Sequence, residues 1–176
     1  MDARPRCSVF IAASLDGRIA RADGRIDFLD IAAIDGEDYG YRAFFDDVDC
    51  LVVGRGTYDT VAGFPEWPWP HKRVVVLTHR PFTPLKNEEL SSEEPATLMA
   101  RLGAAGVKHV YVDGGNVISQ FFRAGLIDDV TLTVIPTVLG GGRPLFGGGE
   151  REARLQLTQS RTYPNSVVQL RYRVQR

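Results

Sequence analysis

Cys50–Thr60, CLVVGRGTYDT, decides how the chain is read. Leu51, Val52 and Val53 form a short, unbroken apolar run, the pattern of a strand buried on both faces. Gly54-Arg55-Gly56-Thr57 then turns the chain, and Tyr58–Ala62 can begin a helix. In a strand–glycine–helix unit the free N–H groups of the first helical turn point at one spot, where the helix dipole is positive. Such a spot suits a phosphate. Gly54 and Gly56 would let a ligand approach the backbone, and the Arg55 guanidinium suits a phosphate monoester. Thr57 can cap the helix or bond a phosphate oxygen. The run is neither a Walker loop nor G-x-G-x-x-G, so a tight turn with a surface arginine stays open beside the phosphate site.

The surrounding chain repeats the design. Lys72–Thr78, KRVVVLT, is a second buried strand, ending in Thr78-His79-Arg80. Two strands thus end near an arginine, and ligands of open α/β sheets bind beyond the carboxyl ends of strands. Val107–Val112 is a third strand, which Asp113-Gly114-Gly115-Asn116 turns into a helix with Val117, Ile118, Phe121 and Phe122 on its apolar face. The diglycine lets a pyrophosphate or a ring approach the backbone, or it serves a tight turn needing positive φ.

Upstream, Cys7–Ala13 reads as a first strand, followed by a loop from Ser14 through Gly24. Loops of this length after a buried strand often carry function. Asp35–Asp38 looks like an acidic helix start, with Tyr41, Phe44, Phe45 and Val48 at core-facing spacing. Asp38 then lies at the end of the inner face, as a half-buried acid or as an exposed partner of Arg42. Phe64–His71, rich in proline and tryptophan, reads as a cover over the core. Phe82–Glu94 reads as a polar connection, and a helix follows to about Leu102. Asp129–Ile135 is a further strand. Pro136–Gly149 is a long loop in which Arg143 either cradles a charged substrate group or belongs to a flexible linker. Leu155–Tyr163 and Ser166–Val174 make a hairpin, with Val168, Leu170, Tyr172 and Val174 on one face and Gln169, Arg171 and Arg173 on the other.

A chain of 176 residues, 44% hydrophobic and 24% charged, suits one globular domain, here expected over residues 1–176 without repeats. A net charge of −1 gives no electrostatic case for nucleic acid or a membrane surface. Cys7 and Cys50 sit in apolar strands as buried thiols of a reducing compartment, and no Cys/His spacing suggests a metal. No apolar run of membrane-spanning length and no signal-peptide pattern is present, so a cytoplasmic protein is expected.

Taken together, the motifs resemble the dihydrofolate reductase superfamily. The closest likeness is to its bacterial branch related to the reductase domain of the riboflavin-biosynthesis deaminase–reductase. The resemblance rests on Ile11–Ala20 (IAASLDGRIA), Asp38–Tyr41 (DYGY), Val53–Tyr58 (VGRGTY), Val112–Asn116 (VDGGN) and Ile135–Phe146 (IPTVLGGGRPLF). It implies an α/β fold of three α-β-α layers, with a mixed, mostly parallel central sheet and a C-terminal antiparallel hairpin. It further implies NADPH lying across the carboxyl ends of the strands, and hydride transfer to a small pterin- or pyrimidine-like heterocycle. Alternatives are a ribosylamino-pyrimidine reductase and a non-catalytic NADPH-binding module. Carried over by position, Ala13 and Ile19 flank the nicotinamide. Gly54, Arg55 and Thr57 take the phosphates, with Arg55 near the 2′-phosphate. Thr78, His79 and Arg80 border the adenine ribose, and Gly114, Gly115 and Asn116 hold the pyrophosphate side. Asp38 falls at the position of the superfamily's acid and Thr133 at that of its supporting threonine. The cation for a folate tail falls near Lys72 or Arg73. Where dihydrofolate reductase has a tryptophan before its acid-bearing helix, this chain reads Asp27-Phe28-Leu29. A homodimer is also expected, from the amphipathic hairpin, the proline-tryptophan loop and the habit of the branch.

Overall fold

The computed structural model describes residues 4–175. Its centre is an eight-stranded sheet in the order β5-β4-β3-β6-β1-β7-β10-β9. The strands are β1 (Arg6–Ser14), β3 (Cys50–Gly54), β4 (Arg73–Leu77), β5 (Glu89–Ser91), β6 (His109–Asp113), β7 (Asp129–Ile135), β9 (Leu155–Thr162) and β10 (Val168–Val174). Pairings from β5 through β7 are parallel; β10 runs antiparallel to both β7 and β9. A two-stranded ribbon, β2 (Arg18–Ala20) against β8 (Arg143–Pro144), stands apart from the sheet. The mixed sheet with its terminal antiparallel hairpin is the architecture expected from the sequence.

The parallel strands are buried on both faces because helices cover both, which is why they read as unbroken apolar runs. Helices α3 (Pro95–Ala104) and α4 (Gly115–Arg123) bring Leu98, Leu102, Ile118 and Phe121 against Cys7, Val9, Val52, Val75 and Val112. On the other face, α1 (Tyr41–Asp47) and α2 (Arg55–Ala62) bring Phe44, Tyr58 and Val61 against Phe10, Leu51, Val53, Val76 and Tyr111. Alternate residues of each strand therefore enter opposite cores.

Three local features depart from the sequence reading. The first α-helix begins at Tyr41, not near Asp35, because Gly36 and Gly40 take φ of 76° and 78° and turn the chain before it. The segment between β4 and α3 contains β5, which extends the parallel sheet by three residues. The polar side of β10 is not all solvent-facing. Gln169 is buried, and its Nε2 donates to Tyr39 O and Thr133 Oγ1, both at 3.0 Å. A register shift between Arg171 and Tyr172 interrupts the β9–β10 ladder.

Candidate active site

Gly54 ends β3 and serves as N-cap of α2, so Arg55, Gly56 and Thr57 make the first helical turn rather than a loop before it. On the adjacent strand, Asp113 pairs with Val53, and Gly114 is the N-cap of α4. Two helix N-termini thus open side by side at the carboxyl end of the sheet. Their contact explains Gly114. It has φ of 98°, and a Cβ there would lie 2.7 Å from Thr57 Oγ1 and 3.6 Å from Gly54 N.

A lid formed by β2, β8 and their loops arches over these turns. Asp16 holds it together: its carboxylate accepts from Ser14 Oγ (2.6 Å), Leu139 N (3.0 Å) and Gly140 N (2.9 Å). Ser14 Oγ in turn accepts from Arg18 N at 2.9 Å. Hydrogen bonds from Ser14 and the Leu139 amide pull the Asp16 carboxyl down to about 2, so the staple stays charged. The lid reaches the start of α4, where Ile19 Cδ1 and Pro144 O lie 3.3 Å and 2.6 Å from where a Gly115 Cβ would stand.

Beneath the lid runs a cleft of about 870 Å³. Its lining includes the glycine turns, Arg55, and Thr78, His79 and Arg80. Arg55 Nε donates to Asp59 Oδ1 at 2.7 Å and its guanidinium lies 4.5 Å from the Phe82 ring centroid. The apolar and aromatic part of the lining is Phe10, Leu29, Tyr41, Phe64, Trp69 and Tyr111. Tyr41 and Tyr111 stand with ring centroids 6.5 Å apart, and the Tyr111 hydroxyl donates to Phe10 O at 2.8 Å.

Among the described residues one carboxyl group lines the cleft, that of Asp113. Burial pushes it up to about 6, against the opposing pull of the Gly114 N–H, which donates to Oδ1 at 2.7 Å, and of the Tyr111 hydroxyl. Burial likewise pushes the Tyr41 phenol up to about 12. A carboxyl that titrates near neutrality in an apolar cleft is suited to holding and releasing a proton.

The site residues expected from the sequence divide clearly. Ile19, Gly54, Arg55, Thr57, Thr78, His79, Arg80, Gly114, Gly115 and Asn116 all line this one cleft. Ala13 does not: it is buried in the core on the α3–α4 side, and Phe10, Ile11 and Ala12 form the wall instead. Asp38 requires the larger correction. It is exposed, outside the cleft lining, and accepts from Gly40 N (2.9 Å) and Arg42 N (3.0 Å). Those backbone bonds hold its carboxyl below the usual range, opposite to the rise that burial would cause. Thr133 is buried in β7 and bonds Gln169, so it is not the support of a cleft acid. Asp113 was missed because it reads as a turn residue. Its one sequence signal is an acid placed between an apolar strand and a diglycine.

The cations near the expected tail site are engaged elsewhere. Lys72 Nζ donates to Val48 O at 2.6 Å, and Arg73 pairs with Glu89 at 2.8 Å. A serine–histidine–aspartate chain also occurs away from the cleft. Ser8 Oγ lies 2.8 Å from His109 Nε2, and His109 Nδ1 lies 2.8 Å from Asp47 Oδ2. Ser8 has no exposed surface, so no ester can reach its hydroxyl, and the chain ties β1, β6 and α1 together. No group of metal-ligating side chains is assembled among the described residues, and no helix among them is long and apolar enough to cross a membrane.

The geometry has close counterparts. YwjB of Bacillus subtilis (strain 168) is 36% identical over 169 residues, spanning 93% of this chain and 95% of its own. A solved structure from Shewanella sp. PV-4, named for riboflavin biosynthesis, is 35% identical and superposes with a TM-score of 0.90 over 97% of this chain and 99% of its own. Dihydrofolate reductase from Enterococcus faecalis, solved with NADP(H), shares the fold, with a TM-score of 0.68 at 16% identity over 97% of each chain. Residues 5–169 match the RibD C-terminal domain, and the chain belongs to that family.

Proposed function

We propose that this chain is a single-domain, NADPH-dependent reductase that transfers a hydride to a small pterin- or pyrimidine-like heterocycle. The observation that carries the reading is what one cleft gathers. Two helix N-termini, Arg55 and Arg80 line it together with aromatic side chains and the Asp113 carboxyl. The glycine turns and the two arginines fit a dinucleotide. Gly54, Gly56, Gly114 and Gly115 would let a ligand approach the backbone at two helix N-termini, and the contact between Gly114 and Thr57 leaves no room for a Cβ. Gly54, Arg55 and Thr57 take the phosphates, with Arg55 near the 2′-phosphate; Gly114, Gly115 and Asn116 hold the pyrophosphate side. Thr78, His79 and Arg80 border the adenine ribose, and Ile19 borders the nicotinamide. When bound, the reduced cofactor supplies the hydride.

The rest is the work of the chain's own side chains. Tyr41, Trp69 and Tyr111 enclose a flat ring and exclude water from it. Asp113 holds a proton at its carboxyl near neutral pH and delivers it to the reduced ring, directly or through a water. With Lys72 and Arg73 engaged elsewhere, the substrate is a compact ring rather than one with an acidic tail. The buried thiols of Cys7 and Cys50 fit a reducing compartment such as the cytoplasm.

The active unit is a homodimer. Every residue of the edge strand β9 is exposed, with Leu155 and Leu157 at 40% and 51%, and a long open edge of this kind is stable in solution when another chain covers it.

The test is calorimetric titration with NADPH and NADH, followed by an NADPH-oxidation screen over pterins, flavin precursors and quinones. Charge-assisted phosphate bonds are each worth roughly 1.5–3 kcal/mol. NADPH should therefore bind at least about tenfold tighter than NADH, and Arg55→Ala should abolish the difference. Failure to bind either cofactor rejects the reading. Binding without oxidation by any heterocycle favours a non-catalytic module.

A further inference from the structure

Arg143 is the lid's own cation. It lies on β8, which pairs with β2, and it lines the cleft beside the start of α2. Its guanidinium is located by two glycines. Nη1 lies 3.2 Å from where a Cβ on Gly56 would stand, and Nη2 lies 3.0 Å from the same point on Gly24. The Arg143 side chain is exposed, and its guanidinium lies against the backbone of both glycines, where an added Cβ would shift it by a few tenths of an ångström. Gly56 belongs to the first turn of α2, where backbone N–H groups have no partner within the helix. Among the described residues Arg143 has no carboxylate partner, while the other cleft arginine of this turn, Arg55, is paired with Asp59.

A guanidinium held over a helix N-terminus is electrostatically unfavourable by itself, since both ends carry positive charge. The arrangement becomes favourable when an anion lies between them. The lid is also already built for it: Asp16 clamps the Ser14–Arg18 turn to Leu139 and Gly140, two residues before the diglycine that leads to Arg143.

Resting on the NADPH reading above, we propose that Arg143 is the residue through which the lid clamps the cofactor's pyrophosphate. The pyrophosphate lies between the Arg143 guanidinium and the α2 N-terminus, and it fastens β2 and β8 over the bound dinucleotide. This assigns Arg143 to the cofactor rather than to a phosphate on the substrate. It also separates its role from that of Arg55, which reads the 2′-phosphate.

The two roles predict different binding patterns. Both NADPH and NADH carry the pyrophosphate, so loss of Arg143 should weaken both alike. Arg143→Met keeps the length of the side chain and removes its charge; Arg143→Lys keeps the charge. In calorimetric titration of the full chain, Arg143→Met should weaken NADPH and NADH equally, each by about 10- to 100-fold. The NADPH-to-NADH ratio should stay as in the wild type, and Arg143→Lys should recover part of the loss. In hydrogen exchange, NADPH should protect the amides of residues 18–24 in the wild type and protect them less in Arg143→Met. Wild-type affinities in Arg143→Met overturn the proposal while leaving the cofactor reading intact. So does a loss confined to NADPH, which would place Arg143 at the 2′-phosphate. A rise in KM for a phosphorylated substrate with unchanged cofactor affinity also overturns it. A wild-type chain that binds neither cofactor overturns this proposal and the cofactor reading together.

Discussion

Asp113→Asn should stabilise the protein while disabling it. In the native state burial holds the Asp113 carboxyl up at about 6, against an ordinary value of 3.8. Each pKa unit is about 1.4 kcal/mol, so ionisation costs the folded state up to about 3 kcal/mol relative to an exposed aspartate. The side chain opens on a cleft that admits water, which brings the expected figure to about 1–3 kcal/mol. Between the two pKa values the folded state binds more protons than the unfolded one, so this cost is absent below the unfolded value and reaches its full size as pH rises through about 6. Asparagine keeps the shape and cannot ionise. Urea unfolding of both proteins between about pH 4 and pH 8 should show near-equal stabilities at the acid end. At the alkaline end the variant should be more stable by about 1–3 kcal/mol. Turnover should fall by roughly 10²–10⁴, as for loss of a general acid. Parallel stability profiles across the whole range would show that Asp113 is not an acid held neutral by burial, and the proton-delivery argument would fall with it.

Gly114→Ala should destabilise the fold by about 1–3 kcal/mol in chemical denaturation and weaken NADPH binding, because it adds a Cβ at positive φ against Thr57. Asp38→Asn should leave turnover unchanged in steady-state kinetics, since the carboxylate is exposed and its partners are backbone amides; a collapse in turnover would restore Asp38 as the acid. Leu157→Arg, on the open β9 edge, should turn a dimer into a monomer by light scattering, and a wild-type monomer at micromolar concentration would remove the dimer altogether.

The core of the fold was legible because it rests on local signals. Leu51–Val53, Val74–Val76 and Val110–Val112 are unbroken apolar runs, and such runs arise when helices cover both faces of a strand. The gathering of the glycine turns and arginines at one cleft was legible for the same reason. Glycines and arginines at strand ends keep their meaning whatever packs around them. What was misread depends on distant partners. β2 is three residues long and is defined by pairing with β8, more than a hundred positions away. β5 is equally short, and its glutamate is held by Arg73 and Arg101. Asp38 was placed on the inner helix face because the helical period of Tyr41, Phe44 and Phe45 was extended back through Gly36 and Gly40, which end it. The Asp113 carboxyl is raised by burial, against the pull of the Gly114 N–H and the Tyr111 hydroxyl, and that burial comes from packing beyond its own segment. A pattern of spacing within one segment carries no information about that.

The position of β1 bears on how the chain folds as it is made. Its first residues pair Cys7 with Val110 and Ser8 with Asp129, so this strand has its sheet neighbours more than a hundred residues later in the chain. The topology predicts that β3, α2 and β4 assemble first from nearby contacts, while β1 waits in an apolar, unpaired state until β6 and β7 emerge. A nascent chain released before about residue 135 would then leave Val9, Phe10 and Ile11 without a slot, as a target for chaperones or aggregation. Pulse-labelled hydrogen exchange during refolding should show β3 and β4 protected before β1; protection of β1 first would reverse that order.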